Sequence, residues 1–375
     1  MRIGIITQPL HANYGGILQC YALQTVLERA GHNVEVLQRK TYNTNPLNVV
    51  YWAARISVRN VIHHKNEFIF PDLRKAYQYP IEGRYTHEFI AKYIHVRELI
   101  STNEVKERDY DAYVVGSDQV WRYRYNGKRI FDSFLFFAKD WNIKRVAYAA
   151  SFGTDFWEIP NNITDLIKKQ IKKFNLVSVR EDSGVMLCKN YLDVDACQVL
   201  DPTLLLSSKD YLKLIPDDLK SGCIEYKYIA TYILDESDAT KRITSEVARA
   251  LNLNVVRANS KYEDKSAPLK ERIQPPVEKW LKTLAYSDFV IADSFHACAF
   301  SIIFKKQFVV LGNKERGLTR LKSIVDMFEI SDHLIVDVKN FSYAKYVPID
   351  YSKVDKRIKE LQESSMSLLL GALRQ

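Results

Sequence analysis

Short apolar runs of four to seven residues recur along the whole of this chain, each followed by a stretch with helical spacing. Runs that brief suit buried strands, and strands that alternate with helices must pair in parallel, because a parallel pair needs a crossover. The expected strands are Ile3–Thr7, Val34–Leu37, Ala112–Gly116, Arg145–Ala150 and Leu176–Val179 in the first half. In the second half they are Tyr228–Leu234, Asn254–Arg257, Phe289–Ala292 and Phe308–Leu311. Between the halves lies a polar stretch with Pro216. We therefore expect an α/β chain of two Rossmann-like domains facing a cleft. The N-terminal domain takes residues 1–206, a linker 207–222 and the C-terminal domain 223–340, with a helical extension over 341–375. The alternation breaks at about 40–107. There a helix over Val49–Val61 is followed by basic, aromatic, irregular chain through Phe70-Pro71 and Tyr79–Tyr85. This reads as an insertion, either a lid or contact surface or a passive cover on the sheet.

At 375 residues the chain exceeds one typical core. A net charge of +9 favours anionic partners. No Lys/Arg run is long enough for a nucleic-acid arm, so nucleic acid is not expected. The five cysteines are scattered, odd in number and without a CxxC pair. They indicate neither zinc nor a disulfide framework, and a reducing cytoplasm fits. The opening MRIGIITQPL reads as a strand, and no apolar run approaches a membrane span.

Polar residues cluster where the expected strands end. Phe289-Val290-Ile291-Ala292 stops at Asp293-Ser294, and His296 follows on the first turn of a helix. Strand carboxyl ends beside helix N-termini are where open α/β sheets place ligands, and histidine exchanges a proton near neutral pH. A capped turn with a buried histidine has the same pattern. Asn13-Tyr14-Gly15-Gly16 lies between a strand and a helix, where two glycines let backbone amides approach an anion or simply form a tight turn. It is not a GxGxxG turn and no acidic partner follows the second strand, which disfavours a dinucleotide. Gly116-Ser117-Asp118-Gln119-Val120-Trp121-Arg122 suits a sugar or phosphate pocket. Arg180 could grip a carboxylate or phosphate with its fork, or pair with Glu181 or Asp182. Arg316 and Arg320, one helical turn apart, mark either an anion site or a solvated face.

Together these segments resemble the polysaccharide pyruvyl transferase family. The resemblance rests on Asn13-Tyr14-Gly15-Gly16, Val115-Gly116-Ser117-Asp118-Gln119-Val120-Trp121, Ser178-Val179-Arg180-Glu181, Asp201-Pro202-Thr203, Asp293-Ser294-Phe295-His296 and Arg316-Gly317, in the family's order. It implies a glycosyltransferase-B-like fold and transfer of a pyruvyl group from phosphoenolpyruvate to a sugar, forming a cyclic ketal and releasing phosphate. No metal or organic cofactor is implied. The family builds capsular, exopolysaccharide and cell-wall glycans, mostly in bacteria. Many members carry arginine two residues before the histidine, where this chain has Ser294.

On this basis His296 is the expected general acid, with Asp118 or Asp293 handling an acceptor hydroxyl. Arg180, Arg316, Arg320, Ser294, Gly15 and Gly16 are assigned to the donor. Asn13, Tyr14, Ser117, Trp121 and Arg122 are assigned to the acceptor. The expected acceptor is a lipid-linked oligosaccharide, which would place a cytoplasmic enzyme in peripheral contact with the inner membrane. Two alternatives remain: a nucleotide-sugar glycosyltransferase of the same architecture, and a non-catalytic glycan-binding protein.

Overall fold

The computed structural model describes residues 1–42, 44–64, 68–220, 226–312 and 317–374. Twelve strands carry the fold among these residues. In the first sheet they are β1 (Arg2–Ile6), β2 (Asn33–Arg39), β3 (Val96–Leu99), β4 (Ala112–Val115), β5 (Lys144–Ala150), β6 (Leu176–Val179) and β7 (Cys197–Gln198). In the second they are β8 (Tyr228–Tyr232), β9 (Asn254–Arg257), β10 (Phe289–Ala292), β11 (Gln307–Leu311) and β12 (Leu334–Ile335). Every pairing is parallel. The orders are β3-β2-β1-β4-β5-β6-β7 and β12-β11-β10-β8-β9. This is the α/β arrangement of two parallel-sheet halves expected from the sequence.

Composition explains the strand positions. Ala112–Val115 and Phe289–Ala292 are apolar throughout and buried at every residue, as central parallel strands covered on both faces must be. Asn254–Arg257 is exposed along its length and sits at an edge. Strand order reverses between β1 and β4 in the first sheet and between β8 and β10 in the second. The crevices outside those strand ends are the natural ligand positions of such sheets.

The region from 40 to 107 is more regular than its sequence suggested. It holds helices Pro46–His63, Pro71–Glu82 and Arg84–Tyr93, and Val96–Leu99 then joins the sheet as edge strand β3. The first helix matches the one expected over Val49–Val61, extended back to Pro46 at its first turn, while Pro80 inside the second hid that helix. The expected linker is also ordered where described. Ser208–Leu212 is helical, and Tyr211 is buried with its ring edge-on to Phe300 at 4.7 Å. The final helix, Tyr351–Arg374, returns to the first sheet. Ser365 Oγ accepts a hydrogen bond from Leu200 N (3.1 Å), and Gln362 Nε2 donates to Leu204 O (2.6 Å).

The two halves are bonded across the cleft. Tyr14 OH donates to Pro275 O (2.7 Å), Gln274 Nε2 to Ala12 O (3.2 Å), and Gln198 Nε2 to Ser323 Oγ (2.7 Å). Arg272 forms a buried ion pair with Glu82.

Candidate active site

Both strand-order reversals open into one polar cavity of about 250 Å³. The first half contributes Asn13, Asp118, Gln119 and Tyr125; the second contributes Asp293, Ser294, His296, Gly317 and Arg320. Three helices begin at its wall: Tyr14–Arg29 after Asn13, Phe295–Ile303 after Ser294, and Leu318–Met327 after Gly317. Ser294 and Gly317 make no side-chain cap, so the first backbone N–H groups of those two helices lack a side-chain acceptor at the cap position. Two uncapped helix ends and the Arg320 guanidinium face this space together with the Asp118, Glu263 and Asp293 carboxylates, so the wall carries both signs of charge. Burial, then the nearby Arg180 charge, lower the Arg320 guanidinium to about 10, which leaves it cationic at neutral pH.

His296 is 6% exposed, lines this cavity, and has no hydrogen-bond partner for Nε2 among the described residues. The ring comes from the second half but sits against the first. Its Nε2 lies 3.7 Å from Asp201 Oδ2, a charge contact just beyond hydrogen-bond reach. On the other side it rests on the backbone of Gly15, where an added Cβ would lie 2.0 Å from Nδ1. Gly15 is therefore the seat of the imidazole, and its role differs from the donor cradle expected. Gly16 donates to Asn13 Oδ1 (3.2 Å) within the helix cap.

Beneath the cavity lies a buried charge network. Arg180 Nη1 donates to Asp201 Oδ2 (2.9 Å) and Nη2 to Asp118 Oδ1 (3.3 Å), while its guanidinium stacks on Phe295 at 4.3 Å. Burial opposes its charge, but Asp201, Asp118 and Glu181 more than offset that and raise its pKa. The expectation that Arg180 grips the donor is thus corrected. It is 2% exposed, off the cavity wall, and both ends of its fork are taken by carboxylates. Asp201 also accepts Ser117 Oγ (2.9 Å), Thr203 N (3.0 Å) and Thr203 Oγ1 (2.7 Å). Burial alone would raise its carboxyl; the charges of His296 and Arg180 and the Thr203 bond hold it far below the usual range. Asp118 behaves alike, with burial outweighed by Arg180, His296 and Arg320. A carboxylate held ionised in this way is a good hydrogen-bond acceptor but a weak base.

The other expected residues take different places. Asp293 accepts Leu234 N at 2.8 and 3.0 Å and Asp235 N at 2.9 Å, so it pins the turn after β8 and is not free as a base. Ser117 is fully buried and bonded to Ala149 O (3.1 Å) and Asp201. Trp121 is a core residue, stacked on Phe134 at 5.0 Å. Tyr14 is likewise buried, stacked on Trp280 at 5.3 Å. Arg122 is 4% exposed and off the cavity wall, bonded to Gln119 Oε1 (2.8 Å) and stacked on Tyr125. None of Ser117, Trp121, Tyr14 and Arg122 lines the cavity to meet an acceptor. Asn13 and Ser294 do line it. Arg316 lies outside the described residues. Gln119 and Asp201 stood in named motifs without an assigned role, and Tyr125 was not expected at the site. Beyond its place in the Asp201-Pro202-Thr203 motif, Asp201 carried the local signal of a helix cap before Pro202, and its contact with a histidine 95 positions later is purely tertiary.

A family model described as polysaccharide pyruvyl transferase matches residues 13–315. No curated protein sequence matches the chain. Among solved structures, UDP-GlcNAc 2-epimerase from Neisseria meningitidis bound to UDP-GlcNAc aligns over 100% of this chain and 99% of its own, at 10% identity and a TM-score of 0.49. The UDP-GlcNAc 2-epimerase from Methanocaldococcus jannaschii aligns over 96% and 93%, at 12% identity and 0.46. Spinosyn forosaminyltransferase SpnP aligns over 100% and 93%, at 11% identity and 0.40.

Proposed function

Because the chain belongs to the polysaccharide pyruvyl transferase family, we propose that it moves the pyruvyl group of phosphoenolpyruvate onto two neighbouring hydroxyls of a hexose. The hexose belongs to a lipid-linked precursor of a surface polysaccharide. One observation carries this reading: a compact cavity that takes in two uncapped helix N-termini and Arg320 is also lined by His296, whose Nε2 has no hydrogen-bond partner among the described residues. Phosphoenolpyruvate brings a carboxylate and a phosphate, which these groups would hold without the arginine that many family members have at the Ser294 position.

The reaction is then as follows. The imidazolium of His296 donates its Nε2 proton to the methylene carbon of the enol, and the neighbouring carbon becomes electrophilic. One sugar hydroxyl adds there, its oxygen forming the first C–O bond and its proton passing to the imidazole. The second hydroxyl displaces phosphate, which leaves with the C–O bond electrons, and the second proton goes to solvent or phosphate. Asp118 holds an attacking hydroxyl as hydrogen-bond acceptor, and Asp201 positions the imidazole from below. Electrons and protons balance with no further cofactor. Proton transfer from a placed acid contributes roughly 10²–10⁴ in rate.

A nucleotide-sugar donor is the second reading. Thermal melting separates the two. Phosphoenolpyruvate at about 100 times its Kd should stabilise the protein by about 2.7 kcal/mol, with no shift from UDP-sugars. A shift with UDP-sugars alone overturns the proposal.

A further inference from the structure

The helix Pro46–His63 is apolar on the wrong side for an ordinary surface helix. Ile56 is its one buried residue among the described side chains. Leu47, Val50, Tyr51, Val58, Val61 and Ile62 fall on a single stripe by helical spacing, opposite Ile56. These six are 57–81% exposed. Twelve of the twenty-five large apolar side chains found exposed among the described residues lie between Leu47 and Tyr77. Scattered exposed apolar residues need no explanation, but a concentration on this scale marks a contact surface.

The charges around the stripe decide what it contacts. The helix contains no Asp or Glu, and Arg55 and Arg59 flank the stripe, both exposed. Arg55 lies over the ring of Trp52 at 5.4 Å, so an aromatic and a cation share the flank. A two-fold dimer through this face would set those arginines near their own copies with no carboxylate in the helix to offset them. No helix among the described residues is long and apolar enough to cross a membrane.

We propose that the Pro46–His63 helix lies flat in the surface of an anionic bilayer, with its outward stripe at the acyl boundary and Arg55 and Arg59 at phosphate level. The docking stands on the stripe and its charges alone. Its use rests on the acceptor reading above. Beneath the helix runs a groove of about 600 Å³ lined by Trp52, Ile56 and Arg129. Arg129 also lines a recess reaching Asn126, the neighbour of Tyr125 on the cavity wall. A lipid-borne glycan lying on that bilayer would be offered to the cavity along this route.

The test is co-sedimentation of the full chain with vesicles of phosphatidylcholine and phosphatidylglycerol, in a ratio of about three to one, and with phosphatidylcholine alone. The protein should partition onto the anionic vesicles and be released by salt. Val50→Asp/Val61→Asp and Arg55→Glu/Arg59→Glu should each lower partition at least about tenfold. Melting curves and turnover of a soluble acceptor should stay unchanged, so loss of docking and failure of the transferase reading give different results. Equal sedimentation with and without anionic lipid overturns the proposal, as does wild-type partition by the apolar double variant. A concentration-dependent dimer abolished by Val50→Asp/Val61→Asp, with no vesicle binding, assigns the face to a second copy instead.

Discussion

Replacing Gly15 by alanine probes the contact on which the proposed chemistry turns. The new methyl would lie 2.0 Å from His296 Nδ1 and 2.3 Å from Cγ. To regain an ordinary 3.4 Å contact the ring must retreat by about 1.4 Å. It can do so only by leaving the gap between Gly15 and Asp201 or by prising the two halves apart. Misplacing a reacting group by about 1 Å can cost roughly 10²-fold in rate. Stability moves much less. Overpacking costs about 1–3 kcal/mol, while alanine in place of glycine in a helix returns up to about 1 kcal/mol. We expect a kcat about 100-fold down with a net destabilisation of about 0–2 kcal/mol, read by phosphate release and by urea unfolding. Gly371→Ala is the control. It sits in the final helix with nothing within 4 Å of its added Cβ, and should stabilise by about 0.5–1 kcal/mol with unchanged kcat. A Gly15→Ala enzyme with more than half of wild-type kcat would refute the claim that the seat of His296 on Gly15 is its working position.

Three further outcomes follow from the same geometry. Arg180→Ala strands the buried Asp118 and Asp201 carboxylates and should cost about 3–5 kcal/mol in chemical denaturation; a raised KM at unchanged stability would return Arg180 to the donor site. Arg320→Ala should raise the KM for phosphoenolpyruvate with little loss of kcat for saturating donor, and unchanged KM would remove it from the donor site. Acid should weaken the fold through His11, whose pKa burial and then His87 lower to about 3, and through the half-buried His87, lowered by its partial burial. The unfolded imidazoles take up protons near pH 6.5 and the folded ones only well below it, so stability falls as pH drops through that window, by at most about 4–5 kcal/mol for His11. The low carboxyl values of Asp118 and Asp201 withhold their own losses until below pH 3.8. Melting between pH 6.5 and 4 should therefore be flatter in His11→Asn, and an identical profile would contradict the assignment.

The parallel sheets were legible because central strands such as Phe289–Ala292 are apolar throughout and end abruptly in polar residues. That same boundary marked His296, which does line the cavity. Local sequence failed where burial is decided by distant partners. Trp121 and Tyr14 look like ligand-facing aromatics beside glycines, yet each stacks inside a core assembled from remote segments. Arg180 showed its neighbours Glu181 and Asp182 in sequence, while Asp118 and Asp201, which bind its fork, lie 62 and 21 positions away. Strand β3 was hidden because Val-Arg-Glu-Leu is short, charged and half exposed at a sheet edge. In the insertion the helix Pro71–Glu82 was masked by Pro80, while the outward apolar stripe of Pro46–His63 reads from sequence as an ordinary buried face.

The central claim is most directly tested by following the pyruvyl group itself. Phosphoenolpyruvate carrying radiolabel in its methylene carbon is incubated with the enzyme and a lipid-linked hexose-containing acceptor, and label in the glycan is measured beside released phosphate. The account predicts equal amounts of glycan-bound label and free phosphate with the wild-type protein, and loss of both by at least about 10²-fold in His296→Ala. Transfer that survives in His296→Ala, or an unlabelled glycan extended only when a nucleotide-sugar is supplied, would contradict it.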